Sequence, residues 1–429
     1  MRILFTSECK IEDLARYLDK PLLQDNPDVE RSVRGILADV QSRGDNAVLD
    51  YVRKFDWPDA DSITVPYEEI EKAYSQVTDS LLAAIRHAKS NIVSFHLKQM
   101  RTSWMDVDQS GKMLGQLIRP IERAAVVVPG FQAPLPSSVL MGVLPAKVAG
   151  VSEVYVSTPP RKDGSIHPAI TVAAAECGVD QIFRIGGAHG VAALAYGTET
   201  VPKVDKIVGP GNIYTTMAKR FVFGHVGIDM LAGPSEVIIL ADETANPRYV
   251  AADMLSQAEH DPDARSITIT TSRKLAGRVA DEVERQLGNL SRADIARSSL
   301  AENGAIIVTA DMNEAILMVN RAAPEHLELA VADPMLMLSA IRNAGAIFLG
   351  NYSTESIGDY VAGPNHVLPT SGTARFSSPL NVDDFMKKSS VIMYSRESLL
   401  ADAASTIELA EAEGLDAHAN AVRVRTEGE

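Results

Sequence analysis

Gln257 and His260 stand three positions apart at the end of an apolar helical run. That spacing turns an amide oxygen and an imidazole nitrogen toward one patch of surface. The run opens at Asn246-Pro247, an N-cap residue followed by proline at the first helical position. Val250, Ala251, Met254, Leu255 and Ala258 give it one apolar face. Asp261-Pro262 ends it, at a C-terminus whose carbonyl dipoles favour a cation. Half of a divalent metal site would look like this. So would an amphipathic helix with a polar end, and spacing alone leaves both open.

Three further polar clusters fall where loops are expected: Pro324-Glu325-His326, Gly358-Asp359-Tyr360 with Asn365-His366, and Glu413 with His418. A ligand set of Gln257, His260, Asp359 and His418 would supply nitrogen and oxygen donors only. Without a thiolate, that chemistry suits zinc or another first-row divalent ion better than magnesium. Adjacent Glu325 and His326 can divide proton-transfer work, or be a surface pair. Gly186-Gly187-Ala188-His189-Gly190 and Gly209-Pro210-Gly211 each follow an apolar run. Either can offer backbone N–H groups to a phosphate, and either can be a simple tight turn. No G-x-S-x-G elbow occurs, and Cys177 lies near a helix end whose dipole disfavours a thiolate. Covalent serine or cysteine catalysis is not expected.

The elements that must carry these residues follow from the apolar rhythm. Residues 1–25 read as a short N-terminal arm. Residues 26–123 and 233–379 read as a discontinuous α/β domain with the metal and acid–base candidates. Residues 124–232 read as an inserted α/β domain, and 380–429 as a helical tail. Ala125-Val126-Val127-Val128 and Glu236-Val237-Ile238-Ile239-Leu240 are continuous apolar strands of the kind covered on both faces. Their alternation with helices predicts two doubly wound, Rossmann-like domains, one inserted in the other. Thr102 to Ile118, turning at Gln109-Ser110-Gly111, predicts a hairpin.

The chain has 429 residues and a net charge of −15, which opposes nucleic acid and anionic lipid as partners and suits a cationic small molecule. Two cysteines, Cys9 and Cys177, cannot build a disulfide framework, and the N-terminus lacks the apolar length of a signal peptide. Ala124 to Ala146 carries no charge, yet its prolines and glycines punctuate it too often for a membrane span. A cytoplasmic location is expected.

Many long motifs in one order make the chain resemble the histidinol dehydrogenase family along essentially its whole length. They include Pro136-Ser137-Ser138-Val139-Leu140-Met141, Val208-Gly209-Pro210-Gly211-Asn212-Ile213-Tyr214, Ala232-Gly233-Pro234-Ser235-Glu236, Ser256 to His260, Ala323 to Glu328, Gly363 to Thr370, and the tail around Glu413 to Val422. The resemblance implies a zinc enzyme that oxidises L-histidinol through histidinal to L-histidine with two NAD⁺. It assigns zinc to Gln257, His260, Asp359 and His418, and catalysis to Glu325 and His326. Ser235, His366 and Glu413 would line the substrate site with the zinc ligands and His326. Asn212 and His189 would face the cofactor. It further implies a domain-swapped homodimer in which the tail, with His418, completes the partner's site. The chain departs from the family pattern at Val127-Val128-Pro129-Gly130-Phe131, usually tyrosine-valine-proline-glycine-glycine, and at His189, usually glutamine. These departures admit a relative acting on another small alcohol, such as a sulfonated propanediol. Readings of other classes are a zinc hydrolase with Glu325 activating water, and a non-catalytic binding protein.

Overall fold

A computed structural model describes residues 1–9, 11–19, 26–130 and 134–427. Phe131 lies outside the described residues. The chain forms two compact units, Met1–Gln99 with Ile121–Phe385, and Met100–Pro120 with Met386–Glu429.

Among its described residues the larger unit holds two parallel sheets. The first has spatial order Gln181–Phe183, Glu153–Ser157, Arg123–Val127, Lys206–Val208, Gly227–Ile228. Numbered along the chain, that order is 3-2-1-4-5, which reverses direction beside Arg123–Val127 as in dinucleotide-binding sheets. The second runs Ile3–Phe5, Gly304–Val308, Arg265–Thr270, Glu236–Ala241, His326–Ala330, Ala346–Leu349. Its last five strands repeat the same order. The expected doubly wound α/β class is therefore the observed one, and its cause is visible in the strands: every residue of Glu236–Ala241 is buried because helices cover both faces. Ile3–Phe5 joins this sheet at its edge, in register with Ile306 to Val308. Part of the N-terminal stretch is thus an integral strand, paired with a segment some three hundred residues away.

The helix Pro247–Ala258 begins as its capping signal predicts, with Asn246 accepting from the N–H of Arg248 at 3.0 Å. It packs Val250, Ala251, Met254 and Leu255 against the sheet. Burial of four such side chains stabilises by roughly 1.5–3 kcal/mol for each of the larger ones. Because a crossover helix runs antiparallel to its strands, Gln257 and His260 return to the sheet's amino edge. No helix among the described residues is long and apolar enough to cross a membrane.

The smaller unit contains the antiparallel sheet Trp104–Val107, Met113–Pro120, Met386–Met393, and the helices Arg396–Ala412 and Asp416–Thr426. The hairpin forms as expected, turning where Asp108 Oδ1 accepts from the N–H groups of Ser110 and Lys112. The stretch expected to be helical from 380 opens with a single 3₁₀ turn, Val382–Phe385, and then holds the strand Met386–Met393, paired along its length with Met113–Pro120. Its side chains are largely exposed within this chain, so no in–out alternation announces it. Trp104, Met105, Val107 and Ile392 are each more than half exposed.

Candidate active site

Glu325 and His326 sit at the amino end of a central strand, where His326 is in register with Val237 on one side and Ala346 on the other. The preceding helix Met312–Ala322 stops at Ala323, which is left-handed at φ 47°, and Pro324 follows. That abrupt stop turns Glu325 into the sheet edge. Gly345 lies so close that a Cβ there would come within 2.6 Å of the Glu325 carbonyl oxygen, which only glycine tolerates. The short helix Glu355–Tyr360 brings Asp359 to the same edge, its start fixed by Thr354 donating to Asp253 Oδ1 at 2.8 Å.

These elements converge. Ligand atoms of His260, Glu355 and Asp359 lie within 4.8 Å of one another. Gln257 is fully buried, with the end of its amide 3.0 Å from both carboxylate oxygens of Glu355; donation to those acceptors requires the nitrogen on that side, which leaves the oxygen for a cation. His326 Nε2 is 3.7 Å from Asp359 Oδ1, and His326 Nδ1 is 3.7 Å from Glu325 Oε2. His366 Nδ1 contacts the carbonyl oxygen of Asp359 at 3.0 Å.

The electrostatics are unusual for a merely structural cluster. Burial pushes the Glu325 carboxyl up to about 8 even though His326 pulls it down. Glu355 is raised to about 7, again chiefly by burial. Burial would depress His326, but Glu355, Glu325 and Asp359 together push it well above the usual imidazole range. Desolvation alone would raise Asp359, yet the imidazoles of His326, His366 and His260 hold it below the ordinary carboxylate value. Three acids thus face imidazoles across a site that lacks a compensating Lys or Arg ion pair among the described residues. His326 Nε2 is buried with no hydrogen-bond partner. Carboxyls pushed up by burial and an imidazole whose Nε2 has no partner call for a bound cation, which would keep the acids ionised and leave Nε2 free as a base. The donors are nitrogen and oxygen, which fits zinc.

The smaller parallel sheet presents a second feature at its switch point. Gly209, at φ 106°, approaches Val127 so closely that a Cβ would meet the Val127 carbonyl oxygen at 2.3 Å. Asp229 accepts from the Gly209 N–H at 2.7 Å and pairs with buried Lys219, which donates to the Gly209 carbonyl at 2.8 Å. Asn212 is exposed and caps the next helix, accepting from Tyr214 and Thr215 N–H groups at 3.1 Å. His189, expected to face the cofactor, is buried instead, packed near Tyr51 and Phe55 with Nε2 3.6 Å from Asp56 Oδ2. Its position in the first turn of the helix Gly187–Tyr196 turns its ring inward toward that apolar layer.

The profile of the histidinol dehydrogenase family matches residues 20–426. The chain belongs to the histidinol dehydrogenase family. A histidinol dehydrogenase from Halalkalibacterium halodurans is 54% identical over 400 residues, spanning 93% of this chain and 94% of the relative. One from Bacillus thuringiensis subsp. konkukian is 53% identical over 424 residues, covering 97% and 99%. The crystal structure of histidinol dehydrogenase from Elizabethkingia anophelis superposes with a TM-score of 0.94 at 39% identity, covering 99% and 98% of the two chains.

Within this histidinol dehydrogenase fold the chain gathers Gln257, His260, Glu325, His326, Asp359 and His366 at one edge, and Ser235 immediately precedes the strand that flanks them. Glu413, at the end of Arg396–Ala412, and His418, in the first turn of Asp416–Thr426, belong to the smaller unit, where both are exposed. Sequence reasoning missed Glu355 and Glu236. Glu355 stands four before Asp359, the spacing of one helix face, so a signal existed. Glu236 opens an otherwise apolar strand, where a charge reads as an edge and not as a buried group.

Proposed function

We propose that this chain, an NAD-dependent oxidoreductase by family, oxidises L-histidinol through L-histidinal to L-histidine with two NAD⁺. The observation that carries this reading is the buried His326 Nε2, partnerless beside Asp359 and adjacent to Glu325. Gln257, His260, Asp359 and His418 would hold zinc, which supplies a Lewis acid able to bind the amine and imidazole of an amino alcohol. His326 contacts the Glu236 carbonyl through Nδ1, an atom that must then carry the hydrogen, so Nε2 is the basic nitrogen.

In the first oxidation Nε2 takes the alcohol proton while the carbinol hydrogen leaves as hydride to nicotinamide. In the second, Glu325 takes a proton from water as that water adds to the aldehyde carbon. His326 having released its first proton to solvent, the hydrate anion then loses the second hydride to another NAD⁺ and its remaining hydroxyl proton to His326, leaving the carboxylate. Ser235, His366 and Glu413 line the substrate, and the surrounding acids favour a cationic one. The Gly209–Asn212 turn at the switch point supports cofactor binding there, with His189 packed beneath as support.

The reading extends to a cytoplasmic homodimer in which each tail delivers His418 and Glu413 to the other copy. Exposed Trp104, Met105, Val107 and Ile392 support a second copy as cover. Mixing inactive His326→Gln with inactive His418→Ala chains under subunit exchange should recover up to about a quarter of wild-type activity, because half the dimers are mixed and each restores one of two sites. A mixture as inactive as its parents places His418 in its own chain's site. Removal of the metal by a chelator should abolish turnover, and zinc should restore it; full activity in the stripped protein contradicts the proposed ligand set.

A further inference from the structure

We propose that Glu236, anchored by Arg265, is the residue that positions both members of the Glu325–His326 pair; this rests on the assignment of that pair above. The backbone N–H of Glu236 donates to Glu325 Oε2 at 2.9 Å, and its backbone carbonyl accepts from His326 Nδ1 at 3.0 Å. Its side chain then reaches back. Oε1 accepts from the backbone N–H of Glu325 at 3.3 Å and of Ser371 at 3.1 Å, while Oε2 pairs with Arg265 Nη2. One residue thus holds Glu325 at both main chain and carboxylate, and holds His326 in the tautomer whose Nε2 is basic.

The arrangement makes little sense as stability alone. Glu236 and Arg265 are buried and face each other in register on neighbouring strands, a place where two apolar side chains would also pack. Desolvation offsets most of what such a buried ion pair contributes. Apolar residues, however, would leave the N–H groups of Glu325 and Ser371 without this acceptor. Ser371 sits at φ 54°, a conformation costly for any residue but glycine, and its bond to Glu236 holds it there. Arg265 fixes the carboxylate from behind, since its Nη1 donates to the carbonyl oxygens of Tyr17 at 2.6 Å and Leu18 at 3.2 Å. The carboxylate is therefore held between the catalytic strand, the 370–371 turn and the end of the N-terminal helix. Among the described residues no hydrogen bond or ion pair links Glu236 or Arg265 to Gln257, His260 or Asp359, so their effect on chemistry runs through the pair.

The test compares zinc-loaded, full-length Glu236→Gln, Glu236→Ala and Arg265→Lys with wild type and with His326→Gln. Glu236→Ala should lower kcat by about 10²-fold, the scale of a displacement of about 1 Å, with both KM values within about threefold. Glu236→Gln keeps an acceptor at Oε1 and should recover much of that loss. Normal kcat in folded Glu236→Ala and Arg265→Lys, beside an inactive His326→Gln, overturns the positioning role while leaving the pair intact. A lowered fraction of active sites with unchanged kcat per site also overturns it, because that is a folding defect. An active His326→Gln overturns the assignment of the pair itself.

Discussion

His326→Gln is expected to lower kcat for histidinol oxidation by about 10³-fold, within the range a positioned general base contributes. The loss arises because Nε2 is the buried nitrogen with no protein partner, while Nδ1 is committed to the Glu236 carbonyl. Glutamine can still donate to that carbonyl, so the fold around it should survive. What it lacks is a lone pair of suitable basicity where the alcohol proton departs. KM for the alcohol should change by less than tenfold, since the candidate zinc ligands Gln257, His260 and Asp359 remain. Steady-state kinetics decide it; a kcat within fivefold of wild type means another group takes the proton.

Glu325→Gln should separate the two oxidations. The first needs His326 and should persist, whereas the second needs a carboxylate to deprotonate water. NADH formed per histidinol consumed should fall from two toward one, with histidinal trapped by a carbonyl reagent. The same substitution has a stability signature. The Glu325 carboxyl is pushed up to about 8 by burial, while an unfolded glutamate titrates near 4.3. Between those values the folded protein holds a proton that the unfolded chain releases. Stability therefore falls as pH rises from about 4.3 to about 8 and is level beyond. Glu325→Gln removes that slope. At pH 9 the metal-free variant should gain up to about 5 kcal/mol from the lost charge, less about 1–3 for an imperfectly paired amide. Urea unfolding of the metal-free proteins at pH 6 and pH 9 measures it. Equal pH slopes in parent and variant would show that Glu325 is not buried as a carboxyl.

Much of this was legible before any coordinates, for physical reasons. Buried parallel strands need apolar runs, and helix ends need caps. Glu236–Ala241 and Asn246-Pro247 accordingly declared themselves. Gln257 and His260 were visible as a pair because helical periodicity maps spacing onto a face. The strand Met386–Met393 was hidden because both its faces are largely exposed within the chain. Ile3–Phe5 was hidden because its partner is remote in sequence. Glu236 and Arg265 escaped notice because a buried charge has no pattern of its own; only its neighbours explain it. His189 was set beside the cofactor by family likeness alone, and its ring lies buried near Tyr51 and Phe55.

The count of NADH formed per L-histidinol consumed by the zinc-loaded protein tests the central claim most directly. One buried acid–base pair serving two successive oxidations predicts two NADH and one histidine for each histidinol. A single NADH with free aldehyde, or turnover without any nicotinamide reduction, would contradict it.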